Sequence, residues 1–130
     1  MEQIRISDAE WLIMKTLWNS ENGKPMALGE VVRSLSEDTR WSYTTIRTLL
    51  IRLVEKKAVR ADKGTGVYRY SPLLSEEEAA LDEASAFLDR VFDNEPSRLF
   101  SLLLRNGKVD ETERQKILRL LSDPGDSETK

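Results

Sequence analysis

Neither cysteine nor histidine occurs anywhere in the 130 residues. Their absence removes disulfides, thiolate metal sites, cysteine nucleophiles and histidine-based proton transfer. An all-carboxylate metal or hydrolytic site is left, but the tightest acidic cluster, Glu76–Glu78, reads as a helix N-terminus, where acidic residues complement the macrodipole. No stretch approaches the roughly 18 consecutive apolar residues of a membrane span. The opening MEQIRISDAEW has no apolar signal-peptide core. The expectation is a cytoplasmic protein with no membrane insertion, no cofactor and no enzymatic activity. Repeats and low-complexity tracts are also missing.

What is present is an ordinary globular mixture, 39% hydrophobic and 33% charged, sized for one domain or a small domain with an appendage. The net charge of −3 speaks against nucleic acid, but its distribution does not. Residues 1–71 hold 12 Lys/Arg against 9 Asp/Glu, and residues 72–130 hold 8 against 14. Within Arg40–Arg69 the balance is 8 to 2. Such asymmetry between halves points to a nucleic-acid-binding part.

Local patterning supplies the elements. Ser7–Glu10 fits a capping box, and Trp11, Met14, Leu17 and Trp18 predict one apolar face on the helix that follows. Asn22–Pro25 is a turn. A second helix is expected over about Ala27–Glu37, although Ala27 is no cap, with Leu28, Val31, Val32 and Leu35 on one side and a polar connection at Ser36–Arg40. Ser42 caps a third helix, Tyr43 to about Lys57, with Ile46, Leu49, Leu50, Leu53 and Val54 inward. Val59–Asp62 and Val67–Tyr70 flank a KGTG turn and predict a hairpin closed by Pro72, with Tyr68 and Tyr70 covering the core.

The second half reads as helices. One is capped by Ser75 and carries Ala80, Ala84, Phe87, Leu88, Val91 and Phe92. Pro96 starts the next, with Leu99, Phe100, Leu102, Leu103 and Leu104. After a turn at Asn106-Gly107, Asp110 caps the last, with Ile117, Leu118, Leu120 and Leu121. The expected fold is mainly α with a small β-hairpin. It comprises a winged helix-turn-helix over 1–72, a three-helix dimerisation domain over 73–122 and a flexible tail over 123–130.

In a winged helix-turn-helix the second helix of the pair enters the major groove by its N-terminal residues. At about 100° per residue, Tyr43, Thr44, Arg47, Thr48 and Arg52 fall largely away from the apolar face. Threonine methyls suit thymine methyls, hydroxyls suit bases or phosphates, and arginine suits guanine or a phosphate. Lys63, Thr65 and Arg69 place cations and a hydroxyl around the hairpin, as a wing meeting the DNA backbone would. The acidic helices bury little by themselves, so Ala84, Phe87, Leu88, Val91, Phe92, Leu99, Leu102, Leu103, Leu118 and Leu121 read as a homodimer interface. A two-fold dimer would set two recognition helices on a palindromic operator in double-stranded DNA. The same residues also allow a protein-interaction module whose basic helix meets an acidic partner.

ISDAEWLIMKTLW, WSYTTIRTLLIRLVEKKAV and GVYRYSPLLSEEE resemble the penicillinase-repressor family, the BlaI/MecI/CopY group of bacterial repressors, across Ile6 to Leu121. The resemblance implies a winged-helix dimer on operators upstream of β-lactamase, methicillin-resistance or copper-homeostasis genes. It places DNA contacts on Ser42, Thr44, Thr45, Arg47, Thr48 and Arg52, and dimerisation on the C-terminal helices. The cysteine motif of copper-responsive members has no counterpart here, which excludes copper sensing by thiolates. In β-lactam-responsive members a membrane sensor-protease system triggers cleavage of an Asn-Phe bond. The matching bond here is Ser101-Leu102, where the apolar context is kept and the dipeptide is not.

Overall fold

The computed structural model describes residues 4–64 and 66–123. Helix α1 (Asp8–Trp18) starts at the expected capping box: the Ser7 hydroxyl accepts from the Glu10 N–H, and Glu10 Oε1 accepts from the Ser7 N–H. A 3₁₀ turn follows (Glu21–Gly23), in which Asn22 and Gly23 take φ of 55° and 69°. Strand β1 (Met26–Ala27) leads directly into α2 (Leu28–Thr39), then α3 (Tyr43–Glu55), β2 (Val59–Asp62) and β3 (Arg69–Pro72). Three more helices complete the chain: α4 (Glu76–Phe92), α5 (Pro96–Arg105) and α6 (Glu111–Ser122).

The wing is a three-stranded antiparallel sheet in the order β1-β3-β2, with Met26 opposite Tyr70 and Val59 opposite Pro72. The two-residue β1 was not expected. The second hairpin strand runs over Arg69–Pro72, not Val67–Tyr70, so Pro72 belongs to the ladder instead of ending it. It can do so as the last residue of its strand, because the Leu73 N–H takes over and donates to the Ala58 carbonyl at 2.8 Å.

Three helix expectations shift for local reasons. On α1 the buried residues are Glu10, Ile13, Met14 and Leu17, while Trp11 and Trp18 are only half-buried and meet edge to face, centroids 5.6 Å apart. Helix α2 absorbs most of the expected Ser36–Arg40 connection and ends at Arg40, which turns left-handed at φ 61°. Its start has half a capping box: Glu30 Oε1 accepts from the Ala27 N–H at 2.9 Å, with no side chain at Ala27 to reciprocate. Helix α3 stops at Glu55, and Lys57 takes φ 67°.

The core gathers Ile13, Met14 and Leu17 from α1, Val31 and Leu35 from α2, Ile46, Leu49, Leu50 and Leu53 from α3, and Ala58 and Val59 behind them. The Trp18 indole N–H donates to the Leu74 carbonyl at 2.9 Å, fastening the segment after β3 to α1. Contacts within the chain divide it into two compact units, one ending at Ala84 and the other starting at Ser85, inside α4. The first turns of α4 belong to the earlier unit: Lys15 pairs with Glu76 at 3.4 Å, and Ala79, not Ala80, is the buried alanine. Among the described residues no helix is long and apolar enough to cross a membrane, and no cluster of three acidic side chains is placed to hold a metal ion.

Candidate nucleic-acid interface

Helix α3 carries the candidate site, and its first turn is built by hydroxyls. The Ser42 Oγ accepts from the Thr45 N–H at 3.1 Å, which satisfies one of the orphan donors of a helix start. The same Oγ donates to the Thr45 Oγ1 at 3.1 Å. Two of the hydroxyls assigned to DNA are therefore engaged with each other in the cap. With Ile46, Leu49, Leu50 and Leu53 fully inward, Thr44 and Thr48 stand opposite them and are exposed. Arg52 and Thr45 lie to one side of that outer face, Tyr43 and Arg47 to the other, all exposed. Among the described residues no carboxylate lies within ion-pairing distance of Arg47, Arg52 or Lys63, so the cations of this surface are not neutralised.

On the Arg47 side, α3 and the sheet flank a cleft of about 620 Å³ whose lining includes Leu28, Tyr43, Arg47, Glu55, Tyr68 and Tyr70. Burial pushes the Tyr70 phenol above the usual tyrosine range, and nearby Arg47 only partly opposes that, so Tyr70 is a neutral hydroxyl at ordinary pH. Tyr68 does not cover the core as expected. It sits outside the shifted β3, is 51% exposed, and holds the Lys63 ammonium 5.8 Å from its ring centroid.

The family model for penicillinase repressors matches residues 6–123. The chain belongs to the penicillinase repressor family. Its members are transcriptional repressors, not enzymes. The penicillinase repressor of Staphylococcus aureus is 27% identical over 122 residues, covering 94% of each chain. That of Bacillus licheniformis is 29% identical over 119 residues, covering 92% of this chain and 91% of its own. The solution structure of the monomeric form of B. licheniformis BlaI in complex with the blaP half-operator is 38% identical, with a TM-score of 0.50, and covers 60% of this chain and 93% of that one.

Not every residue assigned to DNA in this penicillinase-repressor chain falls on one surface. Arg69 and Tyr70 are neighbours on β3 and so point to opposite faces of the sheet. Tyr70 faces the cleft with Arg47, whereas Arg69 lies 3.7 Å from Glu30 and is already paired. Thr65 lies outside the described residues. The residues assigned to dimerisation also divide. Phe92 is buried within the second unit and Leu88, Leu99 and Leu103 are half-buried. Phe87, Val91, Leu102, Leu118 and Leu121 are exposed in that unit, and Ala84 is exposed at the end of the first.

A feature the sequence reading missed lies behind α3. Glu10 is buried at 2% exposure, and its Oε1 accepts from Lys56 Nζ at 2.5 Å, while Lys56 also donates to the Arg5 carbonyl at 2.7 Å. The capping-box motif accounted for Glu10 so completely that nothing pointed to a partner 46 residues away.

Proposed function

We propose that this protein is a dimeric repressor that occupies a palindromic operator in double-stranded DNA, acts in the cytoplasm and blocks transcription by occupancy alone. The observation that carries the DNA reading is the exposed, unneutralised face of α3, in a chain 38% identical over 60% of its length to a repressor solved on a half-operator. Thr44 and Thr48 would meet base edges, with Arg47 and Arg52 at the sides reaching a base or a phosphate. The dimer reading is supported by the second unit, where Phe92 is the one buried residue described and several large apolar side chains are exposed.

Footprinting on the DNA upstream of the chain's own gene tests this directly. A protected palindrome is expected, with binding that weakens steeply as salt rises. Arg47→Ala is expected to weaken that binding by about 10- to 100-fold, the loss of roughly 1–3 kcal/mol for one bidentate contact, with an unchanged circular dichroism spectrum. Unaltered specific affinity would remove this flank of α3 from the interface.

Relief of repression by cleavage at Ser101-Leu102 is part of the same proposal. Both residues are exposed but lie inside α5, so a protease must first unwind that helix. Cells exposed to a β-lactam are expected to show two repressor fragments on an immunoblot, and a repressor that stays intact would exclude this route.

A further inference from the structure

A second cleft, of about 1090 Å³, lies where the end of α1, the turn after it, α2 and β3 meet. It opens on the other face of the sheet from the α3 cleft, since Arg69 lines the one and its neighbour Tyr70 the other. Small-molecule sites are usually apolar with a few polar groups. This one is mostly polar, with Lys24, Arg33 and Arg69 facing the carboxylates of Glu21 and Glu30. Glu30 is already engaged: its Oε1 accepts from the Ala27 N–H at 2.9 Å and lies 3.7 Å from Arg69. The Thr16 and Ser20 hydroxyls are spent on the Leu12 and Lys24 carbonyls. Among the described residues, the side chains of Asn19, Lys24, Arg33 and Ser34 have no hydrogen-bond or ion-pair partner. The cleft therefore holds more uncommitted donors than acceptors. Its turn is also preset, because Asn22 and Gly23 take left-handed φ and Ser20 ties down the Lys24 backbone.

We infer that this cleft binds a small polyanion bearing two or more phosphate groups, held by Lys24, Arg33 and Arg69. An arginine fork matches two oxygens of one phosphate, and a lysine ammonium supplies a point charge to another. Three cations arriving from the turn, α2 and β3 suit more than one anionic group. Arg69 can change partner cheaply, since its exposed pair with Glu30 is worth at most about 1 kcal/mol. Asn19 and Ser34 add neutral donors from α1 and α2. The inference does not depend on the operator reading, whose residues lie on α3 and the opposite face of the sheet.

The test is isothermal titration of the full chain with sodium tripolyphosphate at pH 7 and low salt. A single saturable site is expected. Arg33→Ala and Lys24→Ala should each weaken it by at least about tenfold, the loss of a hydrogen bond between charged groups. Arg33→Lys keeps the charge but loses the fork, so it should fall between wild type and Arg33→Ala. Both positions are exposed, so circular dichroism should be unchanged. Arg47→Ala should bind tripolyphosphate as the wild type does, and Arg33→Ala should bind duplex DNA as the wild type does. No binding by the wild type, or full binding by both alanine variants, would overturn the inference and leave the repressor reading standing. A loss with Arg47→Ala would place the ion on α3 and overturn it as well. So would a matching loss of duplex affinity in Arg33→Ala, because the cleft would then belong to the DNA interface.

Discussion

Leu102→Glu and Leu118→Glu are each expected to give a folded monomer whose affinity for the full palindrome falls by at least about 100-fold. Among the described residues from Ser85 onward only Phe92 is buried, at 8% exposure, while Leu118 and Leu121 are 42% and 73% exposed. A unit of this size rarely holds together on so little burial. Covering one leucine contributes about 1.5–3 kcal/mol, and a two-fold interface counts every substitution twice. A glutamate there forfeits that burial and faces a desolvation cost. Two linked half-site contacts exceed one by about 10²–10⁴ in effective affinity, and that gain vanishes with the dimer. Sedimentation velocity reads the oligomeric state, and binding to an isolated half-site controls for the fold. The half-site affinity should not change. A dimer that persists with undiminished palindrome binding would move the interface elsewhere.

Leu102 and Leu118 are chosen because the structure separates two roles that periodicity merges. Leu88, Leu99 and Leu103 recur at helical spacing with the exposed leucines, yet they are half-buried within their own unit. A charge at those positions would unfold the helices as well as part the subunits, and the two effects could not be told apart.

Features that depend on neighbours three or four residues apart were legible in the sequence. The Ser7, Ser42, Ser75 and Asp110 caps all form, with acceptor distances of 2.9–3.1 Å. Features that depend on distant pairing were not. Met26-Ala27 is a strand only because Arg69-Tyr70 lies beside it. Tyr68 shares the alternation of a strand residue, but the ladder starts one position later, which releases its side chain to the cleft. On α1 the run EWLIM puts apolar residues at consecutive positions, so both the Trp11 stripe and the Ile13 stripe satisfy the helical period. Packing against α2 and α3 selects the second. The hydroxyl-rich start of α3 was read as a helix capped by Ser42, and the helix and its cap form as expected. What the sequence did not separate is which hydroxyls close the cap, Ser42 and Thr45, and which stay open, Thr44 and Thr48.

Glu10→Ala is expected to lower the unfolding free energy of the first unit by about 3 kcal/mol, a drop of roughly 10–20 °C in Tm. Burial alone would raise the Glu10 carboxyl, but the Lys56 ammonium and the Ser7 backbone and side chain outweigh it and hold the group below its ordinary 4.5. A carboxyl whose pKa is depressed in the folded state binds protons more readily when unfolded. Its contribution is therefore whole above about 4.5 and is lost as pH falls through the lower folded-state value. Removing one partner of a buried pair costs about 3–5 kcal/mol. Lys56 remains 36% exposed and can rehydrate, which places the loss at the lower end. Glu10→Gln keeps an oxygen for the Ser7 N–H and loses only the charge, so it should fall between the wild type and the alanine variant. Urea melts at pH 7 and at steps below 4.5 check both statements. The gap between wild type and Glu10→Gln should narrow as the wild-type carboxyl protonates. An unchanged midpoint for Glu10→Ala at pH 7 would deny the pair its role. If the role holds, the consequence reaches DNA. Lys56 caps the C-terminal end of α3, so Glu10 and the Arg5 carbonyl hold the far end of the helix whose Ser42 end is proposed to meet the operator.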